Sequence, residues 1–168
     1  MLLNKIKSTF IIKKIFIYKI FSGGYIEYET DVNSKEYNYN EILKYEGDYL
    51  KGERNVKGKE YDYDGELIFE CEYLNGKRNG KGKEYNYNDN LKFEGEYFKG
   101  KRWSGKGYDI NKKIAYELNK GKGKMKSYYD NGQLEFESEY LDGEFNGKIK
   151  KYYYNGELKF EEECLNGK

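Results

Sequence analysis

The sequence predicts an all-β protein: an elongated, single-layer antiparallel meander of stacked β-hairpin repeats. Three observations lead to this fold class. The chain repeats itself about every two dozen residues, each repeat alternates apolar and charged residues, and tight-turn sequences separate the alternating segments. Repeats of this length are typical of stacked units that are each too small to bury a hydrophobic face alone. We therefore expect an open sheet and not a closed globule.

The repeat is defined by a leading aliphatic residue. The units start at Leu43, Leu67, Leu91, Ile114, Leu134 and Leu158. An altered earlier copy starts near Lys19, and the last copy stops halfway. The unit that begins at Ile114 is shorter than the others. This organisation predicts a basic, apolar N-terminal segment over residues 1–18 and a repeat array over residues 19–168.

Each unit is expected to form strand, turn, strand and turn. Its first half alternates strictly, as in residues 43–49, which places apolar residues on one face and charges on the other. Its second half, as in residues 81–87, is rich in tyrosine, a strong strand former. A polar turn with glycine joins the halves at residues 74–79. Asx-Gly pairs such as Asp64-Gly65 and Asn131-Gly132 connect the units, and such pairs favour hairpins.

Glycines recur inside the predicted strands, where glycine normally weakens a sheet. Gly47, Gly80, Gly82 and Gly95 stand at fixed places among large aromatic residues. We expect a tyrosine of one strand to lie over a glycine of the next, where no side chain competes for the space.

These motifs resemble a known repeat family. Residues 45–52 (Tyr-Glu-Gly-Asp-Tyr-Leu-Lys-Gly) and 93–100 (Phe-Glu-Gly-Glu-Tyr-Phe-Lys-Gly), with Asn-Gly-Lys-Gly at 79–82, are similar to MORN repeats. Residues 128–134 resemble the MORN-2 variant of antitoxin-like bacterial proteins. The short unit lacks the Glu-Gly-Glu core, and Val56 replaces the first glycine of a Gly-x-Gly pair. The resemblance implies a stacked β-hairpin sheet that binds proteins and, in some members, phosphoinositides.

Composition narrows the function classes. Charged residues make up 36% of the chain, but 21 tyrosines in fixed register argue against disorder. Histidine is absent, which removes the usual general base near neutral pH and the commonest metal ligand. The two cysteines stand at unlike repeat positions, so neither a disulfide framework nor a zinc site is expected. We expect a reducing, cytoplasmic setting.

The first 26 residues carry five lysines and no acidic residue. Their apolar run is too short and too charged for a membrane-spanning helix. Two interpretations stay open. The segment forms a strand whose lysines protect the sheet edge, or it lies on an anionic membrane surface, which would make the protein peripheral at a membrane.

Charges also separate within each unit, with acids on the first strand and bases on the turn and second strand. Stacking would give an acidic ridge beside a basic ridge. One interpretation is exposed cross-strand ion pairing of small energetic value. The other is a basic ridge that contacts a partner protein or lipid. The candidate contact residues are Lys77, Arg78, Lys81, Lys101, Arg102, Trp103 and Lys106.

The sequence leaves the facing of the second strand open. If Tyr85 and Tyr87 face inward, Lys81 and Lys83 share their side unless a bulge intervenes. Trp103, the single tryptophan, either anchors a partner or fills the bend beside the short unit.

No nucleophile–base pair or metal cluster stands out, and residues 100–107 lack the context of a phosphate-binding loop. We therefore expect a non-catalytic scaffold for protein–protein interaction, without cofactor, metal or nucleic acid. The alternatives are a peripheral module that binds anionic lipid headgroups and, on the family resemblance, an antitoxin-like binding protein. End-to-end self-association through the sheet edges is a further expectation.

Overall fold

The computed structural model describes residues 16–21, 24–29, 34–86, 89–165 and 167, with side chains from residue 34 onward. These residues form fourteen strands and no α-helix. The strands are β1 Phe16–Phe21, β2 Gly24–Glu29, β3 Ser34–Asn38, β4 Leu43–Leu50, β5 Glu53–Tyr61, β6 Leu67–Leu74, β7 Lys77–Asn86, β8 Asn90–Phe98, β9 Lys101–Tyr108, β10 Ile114–Asn119, β11 Lys122–Tyr128, β12 Leu134–Leu141, β13 Glu144–Tyr152 and β14 Leu158–Cys164.

All fourteen strands belong to one open sheet, in which each strand pairs antiparallel with its neighbour in sequence. The predicted fold class, an antiparallel meander of hairpins, is therefore confirmed. The first strand of a unit begins at Leu43, Leu67, Ile114, Leu134 and Leu158, and in one unit at Asn90, a residue before the aligned leucine.

The N-terminal end of the sheet differs from the sequence alignment. Residues 21–25 align with the middle of a strand in later units, but the structure pairs Phe21 with Gly24 and so reverses the chain there. The sheet begins at Phe16, within the segment that the sequence sets apart as residues 1–18. Residues 1–15 of that segment, on which the membrane interpretation depends, lie outside the described residues.

Two-residue turns connect the strands along one edge of the sheet. Lys51-Gly52 and Asn75-Gly76 are examples, and both residues of each turn have positive φ: Lys51 has φ 52° and Gly52 has φ 81°. This geometry belongs to the turns whose twist matches that of the flanking strands. Successive turns are also linked to each other, because the Gly76 N–H donates to the Arg54 carbonyl at 3.0 Å and Gly100 repeats the bond to Arg78.

From β3 onward, five-residue turns connect strands along the opposite edge, for example over residues 38–42, 62–66 and 109–113. In the turn over residues 62–66, the Asp62 N–H donates to the Glu66 carbonyl at 2.9 Å. Oδ1 of Asp62 accepts the N–H groups of Asp64 and Glu66, both at 2.9 Å. Gly65 takes the left-handed position, with φ 83°. The predicted Asx-Gly turns are therefore present at this edge.

The sheet has an aromatic inner face and a charged outer face. The largest side chains without solvent exposure are Tyr45 and Phe93, both on the inner face. The expected close approach of tyrosine to glycine is confirmed at Gly58, where an added Cβ would lie 2.1 Å from the Tyr45 hydroxyl oxygen. The Tyr45 ring also meets the Tyr73 ring edge-on, with centroids 5.5 Å apart. Because these glycines have no side chain, the aromatic rings can lie directly on the backbone of the neighbouring strand. The rings then cover the inner face, on which the described residues place no second sheet.

Candidate functional site: two faces and one edge

A buried glutamate, a tyrosine and an arginine form a repeated cluster on the inner face. In the central copy, the Tyr73 hydroxyl donates to Oε1 of Glu60 at 2.5 Å. The Arg78 guanidinium donates from Nε to Oε1 and from Nη2 to Oε2, both at 2.9 Å. It also stacks on the Phe69 ring, with Cζ 3.3 Å from the centroid. Such side-on, two-bond contact between arginine and a carboxylate is a strong and specific pairing.

The same cluster occurs in the units before and after. Tyr49 and Arg54 donate to Glu36, while Tyr97 and Arg102 donate to Glu84. Each glutamate belongs to the second strand of one unit, and its tyrosine and arginine belong to the two strands of the next unit. We name the three clusters together the carboxylate ladder. It ties consecutive units together across the inner face.

The charges of the ladder compensate one another. Burial raises the pKa of the Glu60 carboxyl, but the hydrogen bonds from Arg78 and Tyr73 and the charges of Arg78 and Arg54 together lower it by more, so the pKa lies below its usual value. At Glu84 burial again raises the pKa, but the charges and hydrogen bonds of Arg102 and Lys92 together lower it by more, so this pKa also lies below its usual value. These carboxylates therefore stay ionised near neutral pH, and they are poor candidates for general acids or bases.

The ladder ends where the short unit begins. Gly107 pairs with Phe93, the position at which Glu84 pairs with Phe69. Because residue 107 is glycine, the next unit has no carboxylate at the position that Glu84 occupies. The Tyr116 ring occupies the space instead, since a Cβ added to Gly107 would lie 1.9 Å from its Cε1. The Tyr116 hydroxyl accepts a hydrogen bond from Nη1 of Arg102 at 2.8 Å and so closes the series.

Lysine and glutamate alternate across the outer face. One row runs through the strands in cross-strand register and is made of Lys35, Glu46, Lys59, Glu70, Lys83, Glu94, Lys106 and Glu117. Neighbours in this row approach as ion pairs, for example Lys83 Nζ and Glu94 Oε1 at 3.8 Å. A second row, with Lys81 opposite Glu96, flanks a floor of glycine backbone.

The expected separate acidic and basic ridges are wrong. On the outer face acid-rich and base-rich strands alternate, so the glutamates of the row lie opposite lysines of the neighbouring strands and no ridge of one sign forms on that face. The open question of facing is answered for Tyr85, whereas Tyr87 lies outside the described residues. Lys83 and Tyr85 face outward, as Lys59 and Tyr61 do, and the Tyr61 hydroxyl donates to Glu46 of the row at 2.7 Å. The inward residue between them is Glu84.

The edge formed by the two-residue turns combines charge with exposed apolar residues. Leu50, Leu74 and Phe98 are 51%, 51% and 43% exposed and occupy equivalent positions beside successive turns. Six lysines lie next to them. We name this the lysine edge; its lysines are Lys51, Lys77, Lys99, Lys101, Lys120 and Lys122. Within the described part of the chain, only Lys101 of the six forms an ion pair, with Glu144.

The structure divides the seven candidate contact residues among three places. Lys77 and Lys101 lie on the lysine edge. Arg78 and Arg102 belong to the carboxylate ladder on the inner face, while Lys81 and Lys106 belong to the charge rows of the outer face, with Lys106 Nζ 3.9 Å from Glu117. These residues therefore do not form one continuous surface.

Trp103, the seventh candidate, lies beside the short unit and is half-buried. Its ring centroid is 5.2 Å from that of Phe98 on the lysine edge. Its carbonyl accepts the Gly121 N–H at 2.6 Å, and its ring passes under Gly121, where a Cβ would lie 2.5 Å from Cζ3. Trp103 thus packs against the next turn and supports Phe98.

The chain is not placed in a family by comparison. No protein-family model matches it, and no curated protein does. Among the described residues, no group of three or more Cys, Asp or Glu side chains could hold a metal ion. Over the same part of the chain, the structure has no helix with the length and apolar character needed to cross a membrane.

Proposed function

We propose that the chain is a non-catalytic scaffold that binds another protein through the lysine edge. The observation that carries this proposal is the repeated exposure of Leu50, Leu74 and Phe98 beside lysines of which, in the described part of the chain, only Lys101 forms an ion pair. Apolar side chains in a regular line, beside a surplus of lysines over the acidic Glu53, Asp142 and Glu144, are typical of interaction surfaces. The partner's matching surface is acidic and carries apolar residues.

The other faces favour this assignment of the binding surface. The ladder uses the charges of the inner face internally, and the alternating rows of the outer face pair lysine with glutamate. Exposed ion pairs of this kind contribute little beyond local order. On the resemblance of residues 45–52 and 93–100, we further propose that the chain is a MORN-repeat protein, a family associated with protein contacts.

Cross-linking capture from the source cells tests the proposal. The triple variant Leu50→Ser, Leu74→Ser and Phe98→Ser removes the apolar residues without changing charge. We expect a specific partner that cross-links to the lysine edge of the wild type and is lost from the variant. The matched control is Lys59→Ser with Lys83→Ser on the outer face, which should retain the partner. Equal capture by both variants, or no specific cross-link to the wild type, would contradict the proposal.

Anionic lipid headgroups are the second candidate for the same edge, because lysines beside exposed leucine and phenylalanine also suit a membrane surface. Flotation with vesicles tests this alternative. Binding should require acidic lipid and fall when Lys77, Lys99 and Lys120 are changed to glutamate. A separate deletion of residues 1–21 measures what the basic N-terminal segment adds. Flotation that does not depend on acidic lipid rejects the lipid candidate.

A further inference from the structure

The edge opposite the lysine edge is acidic and aromatic. Its five-residue turns over residues 38–42 and 62–66, together with the described residues Asn86, Asp89 and Asn90 at the same place in the next unit, carry five acidic residues and no lysine or arginine. We name this the acidic edge; its acids are Glu41, Asp62, Asp64, Glu66 and Asp89. Tyr39 and Tyr63 project from the first two turns and are 79% and 82% exposed. Each of these two turns therefore presents one exposed aromatic ring together with negative charge.

The turns themselves do not require most of this charge. Asp62 is needed locally, since its Oδ1 accepts two backbone N–H groups. Asn38 performs the same task in the first turn without a charge. In the described part of the chain, the carboxylates of Glu41, Asp64 and Glu66 form no ion pair. These three charges are thus available to a partner.

The two edges match each other in spacing as well as in sign. Both repeat once per two strands, which is about 10 Å along the stack of strands. The short unit keeps this spacing, because it shortens its strands but still contributes two of them. Two surfaces with the same repeat spacing can match along their whole length. The acidic edge of a second copy has this spacing and also the opposite charge.

We propose that the lysine edge of one copy docks along the acidic edge of a second copy. This inference rests on the proposed function of the lysine edge as a protein-binding surface, and it names the partner. The best match is staggered by one unit, with turns 38–42 and 62–66 and residue Asp89 facing tips 74–77, 98–101 and 119–122. Five acids then face five lysines, and Tyr39 and Tyr63 meet Leu74 and Phe98.

This contact is open-ended. After docking, one copy still has a free acidic edge and the other still has a free lysine edge, so further copies add in the same direction and no closed dimer forms. It differs from end-to-end association, in which the outer strands β1 and β14 would pair through their backbones. The contact depends on exposed charges and is therefore sensitive to salt.

Charge reversal tests the proposal by sedimentation velocity over a concentration series. The wild type should form species larger than a dimer at about 0.05 M salt and lose them at about 0.5 M salt. Variant one reverses the acidic edge (Glu41→Lys, Asp64→Lys, Glu66→Lys), and variant two reverses the lysine edge (Lys77→Glu, Lys99→Glu, Lys120→Glu). Each variant alone should associate at least about tenfold more weakly than the wild type.

Mixing the two variants is the decisive step. In the mixture, the unchanged lysine edge of variant one meets the unchanged acidic edge of variant two. The two variants should therefore form a mixed pair whose affinity is within about threefold of that of the wild-type contact. This rescue also shows that both variants are folded. The exchange Lys83→Glu with Glu94→Lys on the outer face is the matched control and should leave association unchanged.

The outcomes separate this inference from the proposed function. A wild type that stays monomeric at low salt overturns the inference, and if a cellular partner still binds through Leu50, Leu74 and Phe98, the proposed function stands. Association that persists in both variants alone overturns the inference in favour of strand pairing at the sheet ends. Failure of the mixture to associate overturns it as well.

Discussion

The interaction between Glu84 and Arg102 is the most informative one to remove by mutation. Their side chains are 12% and 15% exposed, and Nε and Nη2 of Arg102 donate to one carboxylate oxygen at 3.0 and 2.6 Å. We choose Glu84→Met, Arg102→Met and the double variant, because methionine keeps much of the volume and removes the charge.

The expected magnitudes follow from burial. Removal of one member leaves the other charge in a largely buried place, so each single substitution should lower the free energy of unfolding by about 3 kcal/mol. The double substitution should cost only about 1 kcal/mol, since no uncompensated charge remains. The coupling free energy is then about 5 kcal/mol, well above that of an exposed ion pair.

Urea unfolding measures these free energies. Trp103 follows Arg102 in the chain and serves as a local fluorescence probe, with circular dichroism as the global one. The control cycle uses Lys83→Met and Glu94→Met, whose side chains are 46% and 48% exposed on the opposite face. Its coupling should be below about 1 kcal/mol. If the Glu84 and Arg102 effects add without coupling, the carboxylate ladder does not hold the units together.

Four further predictions concern the same strands and turns. The pKa values of Glu36, Glu60 and Glu84 are lowered on folding, so the stability that these carboxylates give is present above the ordinary value of 4.5 and is lost as pH falls through their folded pKa values; an acid titration of Glu84→Met should show a shallower loss. Val56 has φ 60°, where the equivalent Gly80 has φ 104°, so Val56→Gly should raise the free energy of unfolding in urea by about 1 kcal/mol. Gly107→Ala drives a Cβ into the Tyr116 ring and should cost about 2 kcal/mol by the same assay; an unchanged denaturation midpoint would place the ring elsewhere. Burial raises the pKa of the Cys71 thiol to about 12, so a thiol reagent at mildly alkaline pH should label Cys71 only after unfolding.

Much of the fold could be predicted from the sequence because it depends on local patterns. The alternation after Leu43 and Leu67 specifies strands, and the Asx-Gly pairs specify turns. The constant repeat length then predicts that the units stack in the order of the sequence. At the N-terminal end the alignment of residues 21–25 with a strand interior was misleading, since the pairing of Phe21 with Gly24 reverses the chain at that place.

The carboxylate ladder was missed because its members meet only through cross-strand register. A register irregularity between Glu84 and Tyr85 decides which residues of that strand face inward, and the alternation of the strand does not reveal it. A sequence signal was nevertheless present. Arginine occurs three times in the chain, at 54, 78 and 102, always in the same place of the repeat, while lysine is abundant everywhere. A position that keeps arginine among so many lysines indicates a two-bond partner such as a buried carboxylate.

The lysine edge could be predicted only in part. The sequence placed Lys77, Lys101 and Trp103 near turns, but it grouped them with Arg78 and Arg102, which face the ladder. Exposure of Leu50, Leu74 and Phe98 depends on where the strands end, and a strand pattern fixes that position poorly.

Nuclear Overhauser contacts of Glu84 test the central claim most directly, namely that consecutive units form one sheet whose buried glutamates join one unit to the next. Glu84 lies opposite Phe69 on one side and Phe93 on the other. We predict backbone contacts from Glu84 to both phenylalanines and a side-chain contact to Arg102. Contacts to only one neighbouring strand, or a Glu84 side chain in contact with Lys81 on the outer face, would contradict it.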